Sequence, residues 1–414
     1  MKISFSPPDI SEKEIIYVSE ALRSGWITTG PRVKQLEENL AEFIGMKKTA
    51  CLNSQTASAE MALRLLGIGP GDEVITCAYT YTASASVIDH VGATIKLVDC
   101  QKDSLEMDYA AMADAITEKT KAIIPVDLAG VPCDYDRIFQ IVNEKKDLFV
   151  PRDTDNLAGR LQRSLGRVAV LADAAHALGA SYKGRNVGTI ADFTSFSFHA
   201  VKNLTTGEGG CLCWTAFDGV EDEEIYHQIQ LFSLHGQSKD AFAKNKPGTW
   251  EYDVEGLWYK SNMTDIMAAI GLAQLERYPE LLKKRRAIIE KYNAAFRPLG
   301  IEVLPHYTEK HNSSGHLYLT RIPFGKIQTE RSGDPRRNEI ITKMAEAGIA
   351  CNVHYKPLPL LSGYQKLGFD ITDYPNAYEC YSNEVTLPLH TRLTVEEIDY
   401  IIEQFTKITR DYIS

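Results

Sequence analysis

The sequence predicts an α/β fold, in which helices flank a mostly parallel central sheet and a smaller α+β domain follows at the C-terminus. Through about the first 270 residues, short apolar runs bounded by Gly, Pro and Asp alternate with helical patterns. This alternation is typical of buried strands joined by helical crossovers. After Pro298 the pattern changes to a few strands and amphipathic helices, which indicates a second domain.

Seven short apolar runs are the predicted strands of the large domain, and helices are expected between several of them, for example over 56–66 and 108–118. The strands are predicted at 49–54, 72–79, 94–100, 121–127, 168–174, 192–198 and 209–215. The polar stretch 151–166 is predicted to be a surface loop. Because ligands of parallel sheets bind at the carboxyl ends of the strands, we expect functional side chains there.

A long helical pattern from Asp265 to about Phe296 links the two predicted domains. We predict an N-terminal arm and large domain over residues 1–275, and the connecting helix with a small domain over residues 276–414. The small domain is expected to contain three strands, two helices and a polar loop. These are strands 316–324, 350–357 and 385–390, helices 337–348 and 394–408, and loop 325–337.

Length and composition disfavour several classes of protein. The chain has 414 residues, a net charge of −10 and 44% hydrophobic residues. This hydrophobic content excludes a disordered chain, and acidic charge without basic clusters argues against a nucleic-acid or anionic-membrane partner. No apolar run approaches the roughly 18–20 residues of a membrane span, and the N-terminus lacks the apolar core of a secretory signal. We therefore expect a cytoplasmic protein.

The eight cysteines are scattered and include no CxxC pair. Cys211 and Cys213 are two residues apart on a predicted strand, so both would face one side and could not surround a metal ion as a CxxC motif does. We expect buried free thiols in a reducing compartment and no metal site.

Lys202 is the first candidate for chemistry. It follows a predicted strand in TSFSFHAVKNLTTGEGG (194–210) and precedes a glycine-rich turn. Most lysines extend along the protein surface with the amine in solvent, and that interpretation stays open. The alternative is a Schiff-base lysine that forms an imine with pyridoxal phosphate, because burial lowers the amine pKa and makes the neutral nucleophile available.

Asp173 and His176 form a second candidate in LADAAHALGA (171–180). Asp173 ends an apolar strand, where a carboxylate without a partner is costly. A protonated pyridine nitrogen would be such a partner, and a helix N-terminus capped by Asp173 is the alternative. His176 could bind a phenolic oxygen or serve as a structural hydrogen-bonding residue.

The third candidate is an anion site in CLNSQTASAEMALRLLGIG (51–69), where a polar turn joins a strand to a helix. The first amides of the helix and the hydroxyls of Ser54 and Thr56 could bind phosphate, although Ser and Thr also cap many helices that bind nothing. Tyr81, just past the next strand, either stacks on a planar ring or packs in the core.

Taken together, these motifs resemble the sugar-nucleotide aminotransferases of the DegT/StrS group, which belong to fold type I of the aspartate aminotransferase superfamily. The similarity spans nearly the whole chain, and SFHAVKN followed by GEGG is its most specific part. The matching segments are SGWITTGP (24–31), NSQTA (53–57), PGDEVIT (70–76), DAAHALG (173–179), SFHAVKNLTTGEGG (197–210), YKSNMTDIMAAIGLAQL (259–275), VHYKPL (353–358) and TLPLH (386–390).

The resemblance implies that the large domain binds pyridoxal 5′-phosphate (PLP) and that Lys202 is the catalytic lysine. It implies that Asp173 binds the pyridine nitrogen, that His176 lies on the phenolate side and that Tyr81 stacks on the ring. The implied phosphate ligands are Thr56, the turn amides of Gln55 and Ala57, the Ser197 hydroxyl and the partner subunit's Asn262. The implied substrate contacts are Thr28, His354 and Tyr355.

The implied activity is transfer of an amine from glutamate to a keto group of a nucleotide-linked deoxy sugar, for amino-sugar or cell-surface polysaccharide biosynthesis. The role of Asn262 implies a homodimer with shared active sites. GWITTGP resembles members that aminate the sugar at C4 more than those that aminate C3. Lys202 argues against the relatives that carry His at this position and remove a hydroxyl instead.

Other functions compete with this interpretation. A PLP-dependent sugar dehydratase or amino-acid lyase of the same fold would keep the cofactor residues but would not aminate a sugar. A regulatory relative is disfavoured by the acidic charge and the absence of a helix-turn-helix pattern. A dinucleotide-dependent dehydrogenase is disfavoured because NSQTAS is not the GxGxxG motif that it would need after an early strand.

Overall fold

The computed structural model describes residues 1–239, 251–328 and 332–413. In this part of the chain the strands are β1 (Thr49–Leu52), β2 (Glu73–Cys77), β3 (Thr94–Val98), β4 (Thr120–Ile124), β5 (Ala169–Asp173), β6 (Ser181–Tyr182), β7 (Arg185–Asn186), β8 (Phe193–Ser197), β9 (Gly210–Trp214), β10 (Glu302–Val303), β11 (His311–Asn312), β12 (Tyr318–Arg321) and β13 (Glu384–Leu387).

The described α-helices are α1 (Glu12–Arg23), α2 (Pro31–Ile44), α3 (Gln55–Leu65), α4 (Ala83–His90), α5 (Tyr109–Ala115), α6 (Tyr135–Glu144), α7 (Leu157–Leu165), α8 (Asp222–Ser233), α9 (Asp265–Phe296), α10 (Pro335–Glu346), α11 (Ser362–Lys366), α12 (Pro375–Asn383) and α13 (Val395–Thr409). None of them combines the length and apolar character that crossing a lipid bilayer requires.

Seven strands form the central sheet in the order β1-β9-β8-β5-β4-β2-β3. Only β9 runs antiparallel to its neighbours β1 and β8, and the other pairs in this sheet are parallel. The predicted mostly parallel sheet is therefore confirmed. Since six strands point the same way, the segments that follow β1, β2, β5 and β8 all begin at one edge of the sheet.

Both faces of this sheet are buried, and neighbouring residues of a strand face opposite sides. Phe193 of β8 packs in a core with α3 and α4, whereas Phe196 packs in a core with α2 and α9. Cys211 and Cys213 of β9 share the second core with their Sγ atoms 3.7 Å apart, as the two-residue period of a strand predicts. All eight cysteines are free thiols.

The small sheet has the order β10-β12-β13 and is antiparallel. Its core includes residues of α9, α10 and α13, among them Phe296, Met344 and Phe405. The strand predicted at 350–357 is wrong. Asn352 alone pairs with β13, at Thr386, because the chain then leaves this sheet and packs on the large domain.

Two predicted loops need correction. Residues 157–165 of the loop predicted at 151–166 form α7, whose N-terminus is capped by Asn156 accepting from Gly159 N–H at 3.0 Å. The helix was missed because its sequence is mostly polar. In the loop predicted at 325–337, α10 begins at Pro335, and residues 329–331 lie outside the described part of the chain.

Helix α9 runs through position 275 as one element. The division of the chain into residues 1–275 and 276–414 therefore falls inside a helix, and it remains a prediction.

Candidate active site

A cavity of about 470 Å³ lies at the sheet edge where β1, β5 and β8 end, within the ~300–1,000 Å³ typical of small-molecule sites. A recess of about 30 Å³ adjoins it and shares Lys202 and Tyr355 with it. Ten of the residues predicted from sequence line the cavity or the recess. They are Ser54, Gln55, Thr56, Tyr81, Asp173, His176, Ser197, Lys202, His354 and Tyr355.

Lys202 follows β8 and lines both the cavity and the recess. The backbone N–H of Lys202 donates to the His199 carbonyl oxygen at 2.9 Å, and this hydrogen bond closes the turn after the strand. Burial lowers the pKa of the Lys202 amine to about 8, and the negative charge of Asp173 acts in the opposite direction. Lys202 is half-buried and lies in the site instead of extending along the surface. With a pKa near 8, about a tenth of the amine is neutral at pH 7, and this is the nucleophilic form.

Asp173 ends β5 and is 4% exposed. The Ser84 hydroxyl donates to one carboxylate oxygen at 2.6 Å, and Ala175 N–H donates to the other at 3.2 Å. Burial raises the Asp173 pKa, and these donors together with Lys202 lower it. The residues after Asp173 form turns and no helix, so the helix-cap interpretation is wrong. The carboxylate instead borders the recess.

His176 is a neutral imidazole with an assignable tautomer. Its Nδ1 accepts from Ala129 N–H at 3.1 Å, so the ring hydrogen resides on Nε2. Nε2 lies 3.2 Å from the Tyr355 hydroxyl at the recess. Burial, helped by Lys202 and His354, lowers the His176 pKa well below its ordinary value. His176 can therefore donate a hydrogen bond to an oxygen placed in the recess.

The N-terminus of α3 forms the predicted anion site. The Ser54 hydroxyl accepts from Ala57 N–H at 3.0 Å, so the predicted phosphate role of the Ala57 amide needs correction: that amide is occupied by the helix cap. The N–H groups of Gln55 and Thr56, in the first turn of the helix, have no partner within it. They remain as donors beside the cavity.

The turn before α3 packs directly on Gly210. A Cβ at this position would lie 2.4 Å from the Gln55 nitrogen and 2.4 Å from the Ser54 carbonyl carbon. Any larger residue would displace the backbone that presents these amides. This close approach accounts for a glycine at the end of the GEGG segment.

Tyr81, His354 and Tyr355 form the outer wall of the cavity. Tyr81 is 58% exposed, and its ring centroid is 5.8 Å from that of Tyr355. The core-packing interpretation of Tyr81 is therefore wrong, and its stacking role stays a prediction. Two hydrogen bonds fix the backbone of His354. Its backbone N–H donates to the Glu384 carboxylate at 2.9 Å, and its carbonyl oxygen accepts from the Tyr79 hydroxyl at 2.8 Å.

Thr28 and Asn262 do not line the cavity of their own chain. Thr28 is exposed, and its carbonyl oxygen accepts from Asp265 N–H at 3.1 Å. Asn262 forms a bridge with Leu52 at the end of β1, and its side chain hydrogen-bonds the Met263 carbonyl oxygen at 3.3 Å. The predicted roles of both residues stay predictions.

Several groups that shape this site were not predicted from the sequence. Ser84, which binds Asp173, sits among small residues in TYTASAS and carries no signal of its own. Glu384 was detectable as an acid beside the apolar run of β13, where burial raises its pKa to about 8. His199 and Glu208 also line the cavity and lie 3.6 Å apart.

Comparison with known proteins agrees with this geometry. The sequence profile of the DegT/DnrJ/EryC1/StrS aminotransferase family matches residues 8–159 and 162–406. The chain belongs to this family. The match confirms the resemblance and the fold type I architecture, so the protein is a PLP-dependent aminotransferase of the sugar aminotransferase group.

The relatives below match this aminotransferase along nearly their whole lengths. The spore coat polysaccharide biosynthesis protein SpsC of Bacillus subtilis is 37% identical over 411 residues, 99% of this chain and 97% of SpsC. Spr1654 of Streptococcus pneumoniae, described as a sugar aminotransferase, has been solved in a PLP form with 53% identity, full coverage of both chains and a TM-score of 0.93. Helicobacter pylori PseC, an aminotransferase of pseudoaminic acid biosynthesis, is 27% identical, with full coverage and a TM-score of 0.83.

Proposed function

We propose that this aminotransferase moves an amine from glutamate to the C4 keto group of a nucleotide-linked deoxy sugar. The observation that carries the proposal is the juxtaposition of Lys202, Asp173 and the α3 amides around one cavity. The sugar class is supported by the descriptions of Spr1654 and SpsC, and the C4 position by the GWITTGP motif. A role in amino-sugar or cell-surface polysaccharide biosynthesis follows from the same relatives.

The lining of the cavity fits PLP at both ends. The Gln55 and Thr56 amides, with the hydroxyls of Thr56 and Ser197, offer donors to a phosphate at the positive end of a helix. At the other end, Asp173 offers a carboxylate to a protonated ring nitrogen. Between these ends His176 Nε2–H can donate to the phenolic oxygen, and Tyr81 can cover one face of the ring.

PLP, when bound, supplies an electron-withdrawing ring that stabilises negative charge at the carbon bearing the transferred amine. The chain's own residues supply the rest. The Asp173 carboxylate keeps the ring nitrogen protonated, which requires the carboxylate to stay ionised despite its burial. The Lys202 amine holds the proton that leaves the α-carbon of the donor and delivers it at C4′ of the cofactor. A pKa near 8 suits both halves of this transfer, because the amine can gain and lose a proton near neutral pH.

The test is incubation of the purified protein and PLP with ¹⁵N-glutamate and a panel of nucleotide-linked 3-keto and 4-keto sugars. We expect mass spectrometry to find ¹⁵N in a sugar product and NMR to locate it at C4. Lys202→Ala is the control, and it should give no product. Amination of 3-keto sugars alone would contradict the C4 assignment. Loss of water from the sugar without uptake of ¹⁵N would favour a dehydratase instead.

The role of Lys202 can be tested without substrate. We expect borohydride to reduce the cofactor onto Lys202 in the holoenzyme, and peptide mapping to find the pyridoxyl label in the segment 194–210. A label on any other lysine would remove Lys202 from its proposed role.

We further propose a homodimer in which the partner subunit's Asn262 completes the phosphate site. The supporting observation is that Asn262 lies outside the cavity of its own chain. If Asn262 binds phosphate, that phosphate therefore belongs to the cofactor of the other subunit. The contacts proposed for the sugar are Thr28, His354 and Tyr355, of which the last two line the cavity.

A further inference from the structure

The side chain of Gln55 is directed into the protein and not toward solvent. Gln55 is 5% exposed, and its Nε2 donates to the Ser195 hydroxyl oxygen at 2.9 Å. The Ser195 hydroxyl in turn donates to the Ala172 carbonyl oxygen at 3.2 Å. Because a serine has a single hydroxyl hydrogen, the Gln55 atom that faces Ser195 has to be a donor. This fixes the orientation of the amide.

The Asp173 carboxylate is the acceptor available to the second hydrogen of the Gln55 amide. Ser195 and Asp173 are register partners on the adjacent parallel strands β8 and β5. Gln55 and Asp173 line the same recess, and hydrogen bonding from the Gln55 side chain lowers the Asp173 pKa. One NH₂ group can therefore serve both Ser195 and Asp173.

We propose that the Gln55 side-chain amide is a positioning group that holds the Asp173 carboxylate in place. The proposal rests on the proposed function, in which Asp173 binds the ring nitrogen of PLP. Gln55 is also the first residue of α3, whose amides border the phosphate end of the cavity. A single residue thus couples the turn that binds one end of the cofactor to the carboxylate that binds the other end.

Other groups that act on Asp173 are untouched by a change at Gln55. Ser84 and Ala175 N–H donate to its carboxylate, and the Lys202 charge lowers its pKa. The Asp173 charge raises the pKa of two nearby acidic groups, the Asp127 carboxyl and the Tyr355 phenol. Neutral His176 lines the same recess as Asp173. A change in Asp173 that follows substitution of Gln55 can therefore be assigned to the amide.

The experiment follows the Asp173 carboxyl in the full chain freed of PLP, by infrared difference spectroscopy against Asp173→Asn, and measures PLP affinity in parallel. Gln55→Met keeps the approximate volume and removes both N–H donors. We expect the Asp173 pKa to rise by about one to two units, the effect of one hydrogen bond to a charged group. PLP affinity should fall about tenfold or more.

Gln162→Met is the matched control. Gln162 is 2% exposed, donates to the Leu66 carbonyl oxygen at 2.7 Å and accepts from Arg152 N–H at 2.9 Å, outside the cavity lining. The same substitution there should leave the Asp173 titration and PLP affinity at their wild-type values. Gln55→Asn retains an amide that is one methylene too short, and it decides the question if Gln55→Met does not fold.

An unchanged Asp173 titration in the folded Gln55 variant would overturn the positioning role. An equal shift in the Gln162→Met control would also overturn it, since the effect would then be general. Failure of the proposed function has a different signature: Asp173→Asn would retain wild-type PLP affinity and turnover, while the Gln55 variants would still shift the Asp173 titration.

Discussion

At the scale of single residues, burial sets the charge of the groups around the cavity. Burial lowers the pKa of Lys202 to about 8 and that of His354 to about 4, and it lowers the His176 pKa as well. Three side chains that often carry positive charge are thus fully or partly neutral near neutral pH. Only a neutral nitrogen has the lone pair that a nucleophile or a base needs.

The depressed pKa of Lys202 predicts how stability depends on pH. The amine titrates near 8 when folded and near 10.5 when unfolded, so between these values the unfolded chain binds more protons and stability rises with pH. Below pH 8, burying the ammonium costs about 3 kcal/mol. We therefore expect Lys202→Met to stabilise the PLP-free protein at about pH 6.5, with the gain shrinking by about 2 kcal/mol toward pH 9.5.

Denaturant unfolding of the wild-type protein and of Lys202→Met across this pH range measures the effect. Subtracting one free energy of unfolding from the other cancels the contributions of the other titrating groups. A difference in free energy of unfolding that stays constant with pH would mean that the Lys202 amine has its ordinary pKa in the folded protein.

The Asp173 carboxylate predicts a catalytic loss that can be separated from a loss of stability. Asp173→Asn should reduce kcat/KM by more than a hundredfold, about 3 kcal/mol, because an amide cannot keep the ring nitrogen protonated. The control is Asp192→Asn. Asp192 is buried and binds both guanidinium nitrogens of Arg167, at 2.7 and 2.8 Å.

We expect the Asp192 variant to lose about 1–3 kcal/mol of stability and to keep nearly wild-type kcat. Single-turnover kinetics and thermal unfolding of both variants make the comparison. A wild-type single-turnover rate in Asp173→Asn would show that Asp173 has only a structural role.

At the scale of an element, α3 combines a structural cap with a binding surface. Ser54 accepts from Ala57 N–H, and this bond sets the helix start that leaves the Gln55 and Thr56 amides free. Removing the cap should therefore disturb binding as well as stability.

Ser54→Ala is expected to cost about 1 kcal/mol of stability and to weaken PLP binding severalfold. Asn156→Ala removes an equivalent cap, which accepts from Gly159 N–H at the start of α7, outside the cavity. It should cost similar stability without changing PLP affinity. Calorimetric melting and cofactor titration of both variants measure the two effects. Equal PLP affinity in the two variants would contradict the link between the cap and the site.

At the scale of the whole molecule, the proposed shared site makes the dimer the smallest active unit. A Lys202→Ala chain and an Asn262→Ala chain form a heterodimer in which one site carries both lesions and the other carries neither. We expect mixing of the two inactive proteins to restore activity, approaching half that of a wild-type dimer for each heterodimer. Mass spectrometry of the exchanged subunits and the amination assay measure this.

The experiment requires that Asn262→Ala alone is severely impaired. With exchange confirmed, absence of recovery would mean that Asn262 serves the cofactor of its own chain, and the shared-site proposal would be wrong.

Much of the fold and of the site could be predicted from local patterns. The apolar runs that became β1, β2, β5 and β8 are buried on both faces, so their composition marks them as strands of a covered sheet. Asp173 ends such a strand, Lys202 and Thr56 each follow one, and parallel strands place their carboxyl ends together. The strand predicted at 350–357 failed because a run of apolar residues shows burial without showing which surface covers it.

The sequence by itself determined the sheet, the edge that carries the chemistry and the family, because strand periodicity and motif spacing are local properties. Tertiary structure decided which groups meet across distant segments. Ser84 lies 89 residues from the carboxylate it binds, and Gln55 lies 140 residues from Ser195. It also decided that Ala57 N–H is occupied by Ser54. These hydrogen-bond partners are determined by tertiary packing. The pKa of Lys202 is likewise a property of the folded chain, because it depends on burial.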